Sequence, residues 1–166
     1  MITVTDAGPA HIPVIQELAK ITWAVAYAPI LSPAQMVYML DLFYSTDSLK
    51  EQMNEGHRFI IAIDEEKPVG FASWSVKTGY TSVYRLHKIY IDPNQQGKGV
   101  GKILLDFVLT DIKTKDATDL ELNVNRFNKA RQFYEKIGFV VVNEEDVDIG
   151  NGYFMNDYVM NLSLRG

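Results

Sequence analysis

The sequence predicts a mixed α/β fold. Three observations carry this: the apolar period is 3.6 residues through the N-terminal part, it shortens to two in the runs at 58–64, 69–76 and 83–91, and helical and extended stretches alternate from residue 100 onward. The 166 residues, 47% of them hydrophobic, suffice for one domain with a substantial core, so residues 1–166 are expected to form a single domain. The expected architecture is a mixed, mostly antiparallel central sheet of about seven strands flanked by helices.

Residues 2–6 (ITVTD) alternate as a short strand, and Gly8-Pro9 opens a helix over 10–27 with proline in its first turn. Ile15, Leu18, Thr22 and Val25 share one stripe of that helix, with Ile12, Ala19 and Ala26 alongside, and Pro29 stops it. Ser32-Pro33 then supplies an N-cap and a first-turn proline for a helix that carries Met36, Leu40 and Phe43 to about Tyr44. A third, short helix follows Thr46-Asp47 and ends near Gly56. Arg58 to Asp64 and Val69 to Val76 are β-branched and aromatic runs joined by the polar turn Glu65-Glu66-Lys67-Pro68, which makes a hairpin. Val83 to Ile91 is the next strand. After Asp92-Pro93 and a glycine-rich stretch, a helix from about Val100 to Lys113 points Leu104, Leu105, Val108 and Ile112 inward. Leu120 to Val124 is a strand, Asn128 to Ile137 a helix closed by Gly138, and Phe139 to Val142 a strand. Gly150-Asn151-Gly152 turns the chain into a last strand, Tyr153 to Leu164.

Composition removes several classes of function. With no cysteine, disulfides, thiolate zinc sites, iron–sulfur clusters and cysteine nucleophiles are all excluded, and no metal site is expected. The net charge of −5 argues against general nucleic-acid affinity, which needs a basic face to release counterions. No signal segment and no apolar run near the ~20 residues that cross a bilayer is visible, so a cytoplasmic protein without membrane contact is expected. The charge is unevenly distributed: residues 85–115 hold six Lys and Arg against three Asp, while residues 1–56 hold two basic against six acidic residues.

The basic island contains Gln96-Gly97-Lys98-Gly99-Val100-Gly101-Lys102, joining a strand to a helix. Alternate glycines let backbone N–H groups converge on an anion, and the helix N-terminus adds partial positive charge. A tight turn with no ligand is the plain alternative. A P-loop would need glycine at 96 and Ser or Thr at 103, where Gln and Ile stand, and a dinucleotide fingerprint would need a third glycine at Lys102. What the stretch resembles is the coenzyme A loop of the GCN5-related N-acetyltransferase (GNAT) superfamily, Gln/Arg-x-x-Gly-x-Gly/Ala. The strand Leu86 to Ile91, the Asp92-Pro93 pair and the downstream segment Asn128-Lys129-Ala130-Arg131-Gln132-Phe133-Tyr134-Glu135-Lys136-Ile137-Gly138-Phe139 are similar to the same family. One departure stands out: the family's asparagine usually lies seven residues before the tyrosine, whereas Asn128 lies six before Tyr134.

The resemblance implies a GNAT-like fold with a splayed strand pair forming the cofactor slot, acceptor-side helices within residues 1–56 and an acetyl-CoA-binding core over 83–140. It implies that Ile89, Tyr90 and Ile91 pair through their backbone with the pantetheine arm. Amides from Gly97, Lys98, Gly99, Val100, Gly101 and Lys102 would hold the pyrophosphate, with Gln96 at the loop entrance. Asn128 would touch the cofactor or cap its helix. Tyr134 would be the general acid for the departing thiolate. His87, in phase with Ile89 and Ile91, is a candidate base, a structural histidine and an ordered-water relay being the alternatives.

The implied activity is acetyl-CoA-dependent N-acetyl transfer, directly to a primary amine: a small amine or polyamine, or a protein amino group. A non-catalytic acyl-CoA-binding regulatory protein is the rival. Glu17 and Asp41 among the early acids, the aromatics Trp23, Tyr27, Tyr38, Phe43 and Tyr44, and the segment Asp148 to Tyr158 are candidates to border the acceptor. Oligomeric state is left open, a homodimer included.

Overall fold

Local chemistry sets most element boundaries. The computed structural model describes residues 1–165. Ser32 accepts the Gln35 N–H and starts α2 (Pro33–Tyr44), and Ser45 accepts the Ser48 N–H and starts α3 (Thr46–Asn54). A short 3-10 turn at Pro9–His11 leads into α1 (Ile12–Ala26). The remaining helices are α4 (Val100–Lys113) and α5 (Ala130–Ile137), the latter closed by Gly138 at φ 120°, where a side chain would be strained.

The described residues form one seven-stranded sheet. Its strands are β1 (Ile2–Ala7), β2 (Arg58–Asp64), β3 (Lys67–Val76), β4 (Val83–Ile91), β5 (Asp119–Asn125), β6 (Val140–Gly150) and β7 (Tyr153–Ser163), in the order β1-β2-β3-β4-β5-β7-β6. The β4–β5 pair is parallel, Val83↔Asp119 to Leu86↔Leu122, whereas β1–β2, β2–β3, β5–β7 and β6–β7 are antiparallel. The expected mixed, mostly antiparallel sheet is therefore present.

Two compact units make up the chain: residues 1–75 with 88–110, and residues 76–87 with 111–165. In the first, α1 buries Ile12, Ile15, Leu18, Ala19, Thr22 and Trp23. Val25, expected on this stripe, is 60% exposed. It lies about 80° round the helix from Ile15, and the bulkier Trp23 takes the opposite edge. On α2 the fully buried side chains are Met39 and Tyr44, while the expected Met36, Leu40 and Phe43 are half-buried. The inward residues expected on α4, namely Leu104, Leu105, Val108 and Ile112, are all buried.

In the second unit β5 alternates strictly, burying Leu120, Leu122 and Val124. Strand β6 extends to Gly150 rather than stopping at Val142, because β7 pairs with it from Val140↔Asn161 to Gly150↔Tyr153. Its acidic middle, Asn143-Glu144-Glu145-Asp146, has weak strand propensity and is held by that ladder.

The β2–β3 connection is also tighter than the four-residue turn expected. Lys67 and Pro68 already pair within the hairpin, so only Glu65 and Glu66 turn the chain, at φ 49° and 69°. Two left-handed non-glycine residues cost stability, since Cβ crowds the following carbonyl. Replacing both, Glu65→Asn with Glu66→Gly, is expected to raise unfolding stability by about 1 kcal/mol in urea titration, without change in the folded circular dichroism spectrum.

Candidate functional site

The first unit carries the C-terminal end of β4 and the whole glycine turn. Asp92, 4% exposed, is fastened at three points: its N–H donates to Val69 O at 2.8 Å, its carboxylate accepts the Asn94 N–H at 2.9 Å, and its carbonyl accepts the Gln95 N–H at 2.8 Å. A 3-10 turn over Pro93–Gln95 follows, and Gln96 is extended. Gly97 and Gly99 then take φ 83° and 77°, with nothing within 4 Å of a notional Cβ on either. The surroundings leave room; the backbone conformation is what calls for glycine. Gly101 differs, being buried inside the first turn of α4.

Helix α4 begins with the Ile103 N–H bonded to Gly99 O at 3.0 Å, so the N–H groups of Val100, Gly101 and Lys102 precede the first intrahelical bond. Together with exposed Gln96, Gly97, Lys98 and Gly99 they form a helix-start segment with anion-binding character. The lysines are loosely held. Lys98 donates to Gln95 Oε1 at 2.9 Å, and Lys102 pairs with Asp106 four residues on at 3.0 Å, a surface pair of small energy.

On β4 itself, Ile89, Tyr90 and Ile91 are half-buried. The Tyr90 hydroxyl lies 3.1 Å from that of Tyr27, and its ring joins Trp23, Tyr27 and Phe71 in an aromatic cluster that also holds Tyr44. Trp23 and Tyr44 are core residues, at 4% and 5% exposure, while Tyr27, Tyr38 and Phe43 keep partial exposure. Burial, then the nearby Tyr27, pushes the Tyr44 hydroxyl well above the ordinary phenol range, so it stays protonated.

Lys88 was not singled out by the sequence. Its Nζ donates to Gln52 Oε1 at 2.8 Å and lies 5.3 Å from the Tyr44 ring centroid and 5.9 Å from that of Phe59. Burial lowers its pKa to about 8. His57 is lowered too, first by burial and then by the Lys88 charge.

The second unit carries His87, Asn128 and Tyr134. His87 is half-buried on β4, two residues after Arg85 and on the same face. Asn128 Oδ1 accepts the Ala130 N–H at 2.9 Å, a side-chain turn just ahead of α5, whose N-cap position is Lys129 and carries no side-chain cap bond. Tyr134 is 7% exposed, with ring centroids 5.4 Å from Phe133 and 5.6 Å from Phe139. Asp148 to Tyr158, expected to border the acceptor, is the tip of the β6–β7 hairpin.

A charge network crosses this unit. Glu121 binds both Lys77 and Arg85, Arg85 donates to Asn123 Oδ1 at 2.7 Å, and Asn123 Nδ2 is 3.2 Å from both Asp157 Oδ2 and Glu145 Oε2. Burial raises the Asp157 pKa, and Glu145 adds to that rise, against the pull of Asn123, Arg126 and Arg85. No group of three or more potential ligands that could hold a metal occurs among the described residues, nor any helix long and apolar enough to cross a membrane.

A family model described as an acetyltransferase (GNAT) domain matches residues 29–161. The chain belongs to the GNAT acetyltransferase family. This GNAT chain is 32% identical over 111 residues to the ribosomal protein bS18-alanine N-acetyltransferase of Haemophilus influenzae, across 67% of the chain and 70% of the relative. It is 35% identical over 101 residues to the peptidyl-lysine N-acetyltransferase YjaB of Salmonella typhimurium, across 60% of the chain and 61% of that relative's length, so it spans less than two thirds of that protein. The GNAT fold is matched at TM-score 0.83 and 24% identity by the PaiA N-acetyltransferase of Thermoplasma acidophilum, solved in complex with coenzyme A, over 98% of this chain and 99% of that one.

Asp157 yields a pH prediction. Its folded pKa is raised, so the unfolded chain releases this proton first, and its contribution to stability falls as pH rises from the ordinary carboxylate range through the raised value. Asp157→Asn keeps an acceptor for Asn123 and removes the titration. It is expected to unfold no earlier than the parent at pH 7 and to show a flatter stability profile between about pH 4 and 7 in urea titrations.

Proposed function

We propose that this chain transfers the acetyl group of acetyl-CoA directly to a primary amine, and that the acceptor is an amino group of a protein or peptide. The observation that carries the donor side is the turn from β4 into α4, with Gly97 and Gly99 at positive φ and the N–H groups of Val100, Gly101 and Lys102 ahead of the first helical bond. The relatives whose names specify a ribosomal-protein alanine and a peptidyl lysine support the acceptor class.

In this reading the amides from Gly97 to Lys102 hold the pyrophosphate, with Gln96 at the entrance. Lys98 and Lys102 add charge, because their surface partners are exchanged at little cost. The backbone of Ile89, Tyr90 and Ile91 takes the pantetheine arm as an added strand, at the splayed strand pair the family resemblance implies. A backbone N–H near Ile91 polarises the thioester carbonyl.

The acceptor nitrogen, once deprotonated, forms the C–N bond as the C–S bond breaks, and Tyr134 supplies the proton to the sulfur. His87 or an ordered water takes the amine's proton. Asn128 contributes through its side-chain N–H groups, since its bond to the Ala130 N–H uses only the carbonyl oxygen. With no cysteine to carry an acetyl group, direct transfer in a ternary complex is the simpler route. A small polyamine is the second acceptor class, favoured by the excess of acidic over basic residues in positions 1–56.

Calorimetry with acetyl-CoA and release of free CoA against a panel of N-terminal peptides, lysine peptides and polyamines test this function. Turnover on a peptide class supports it. Acetyl-CoA binding with no turnover on any amine establishes the non-catalytic binding protein instead. Two substitutions test the assignments. Gly99→Glu puts a strained residue and a negative charge into the turn and is expected to weaken acetyl-CoA binding by tenfold or more; retained affinity removes the loop assignment. Tyr134→Phe is expected to lower kcat by about 10- to 100-fold with little change in acetyl-CoA affinity, and unchanged turnover removes Tyr134 as the acid.

A further inference from the structure

Among the described residues every half-buried lysine or arginine but one is ion-paired: Arg58 with Asp6, Lys77 and Arg85 with Glu121, Arg126 with Asp146, and Arg131 with Glu135. The exception is Lys88. Around its head stand Tyr44 of α2, Gln52 of α3 and Phe59 of β2, with the His57 charge nearby, and no carboxylate among the described residues pairs with it. Tyr44 stays protonated, and the His57 charge is itself opposed by burial and by Lys88.

Gln52 is held in one orientation. Its Nε2 donates to Phe43 O at 2.9 Å and to Ser48 Oγ at 3.0 Å, which leaves Oε1 to face Lys88. The site therefore offers one neutral acceptor and two ring faces to an amine that elsewhere in a protein would find a counter-ion. A lysine kept this way carries a substantial fraction of neutral, nucleophilic amine in mildly alkaline solution.

We propose that Lys88 is an acyl-acceptor site of this chain itself, its Nζ taking the acetyl group from an acyl-CoA thioester held on the same strand. The inference rests on the donor site proposed above, since Lys88 immediately precedes the segment Ile89 to Ile91 assigned there to the pantetheine arm. The neutral Nζ forms a C–N bond to the thioester carbonyl carbon and the C–S bond breaks. The proton shed by nitrogen goes to the CoA sulfur, so acetyl-lysine and free thiol are the products. Acetyl-lysine retains one N–H for Gln52 Oε1 and sheds the charge for which the site has no partner.

The full-length protein is incubated with acetyl-CoA at about pH 8, and acetylated positions are located by peptide mass mapping. Acetyl-CoA affinity and amine turnover are measured on the same preparation. The expected result is one acetyl group on Lys88, acquired ahead of the exposed Lys50 and Lys67 and absent from that position in Lys88→Arg. Gln52→Glu supplies the missing carboxylate, holds the amine protonated and is expected to slow the modification by about tenfold or more. Trace labelling with acetic anhydride across about pH 6 to 10 reads the same amine without coenzyme A, and Lys88 is expected to reach its reactive plateau at lower pH than a free lysine peptide labelled alongside.

Acetyl groups on exposed lysines alone, or Lys88 titrating like the free lysine peptide, overturn the proposal. Acetyl-CoA binding with amine turnover but no acetyl group on Lys88 overturns it while leaving the proposed function standing. Failure to bind acetyl-CoA overturns both.

Discussion

The structure depends most on how the chain leaves β4. Within a few residues it must end an extended strand, reverse and start a helix whose first N–H groups are presented together. Asp92 makes this a fixed junction, because three hydrogen bonds anchor it to β3 and to its own turn, and Pro93 restricts the next φ. Gly70 on β3 completes the anchor. A Cβ there would stand 2.9 Å from Tyr90 O, 3.2 Å from Val100 Cγ1 and 3.3 Å from Leu104 Cδ1, so only glycine lets the start of α4 and the end of β4 close onto β3. Conformational freedom at Gly97 and Gly99 is useful because both flanks of the turn are rigid.

The charges divide by solvent exposure. Lys98, Lys102 and Lys115 make surface contacts of small energy. Buried charges are where the structure is demanding. Asp157 meets one side-chain donor, shared with Glu145, and Lys88 meets one neutral amide oxygen. Each is pushed toward its neutral form by desolvation, the acid upward and the amine downward. Each neighbourhood is also oriented by a fixed amide: Asn123 by Arg85, and Gln52 by Phe43 O and Ser48. Such settings are expensive to maintain for packing alone, which is why they draw chemical interest.

Much of the fold was legible in the sequence, and the legible parts share a cause. The bounds of α4, the cap of α2 at Ser32 and the close of α5 at Gly138 depend on a residue and its near neighbours, and so does the strand β4. Where competition across space decides, local pattern is not enough. Val25 lost the edge of its stripe to Trp23, Met39 and Tyr44 were buried more fully than Met36, Leu40 and Phe43, and acidic β6 became a long strand through pairing with β7. The motif residues of the candidate site were visible as a pattern, but Lys88, His57 and Asp157 carry no local mark. Their partners Gln52, Tyr44, Phe59, Asn123 and Glu145 are distant in sequence.

By itself the sequence determined the mixed α/β class, the order of elements, the glycine turn and the family resemblance, since each rests on periodicity, capping or contiguous spacing. Only the tertiary structure decided which glycines hold left-handed conformations, which lysine lies without a counter-ion and which carboxylate is forced toward its protonated form. The physical reason is that desolvation and charge pairing act through space. A lysine at position 88 is an ordinary cation in the unfolded chain and becomes a reactive amine when α2, α3 and β2 surround it with rings and one amide oxygen.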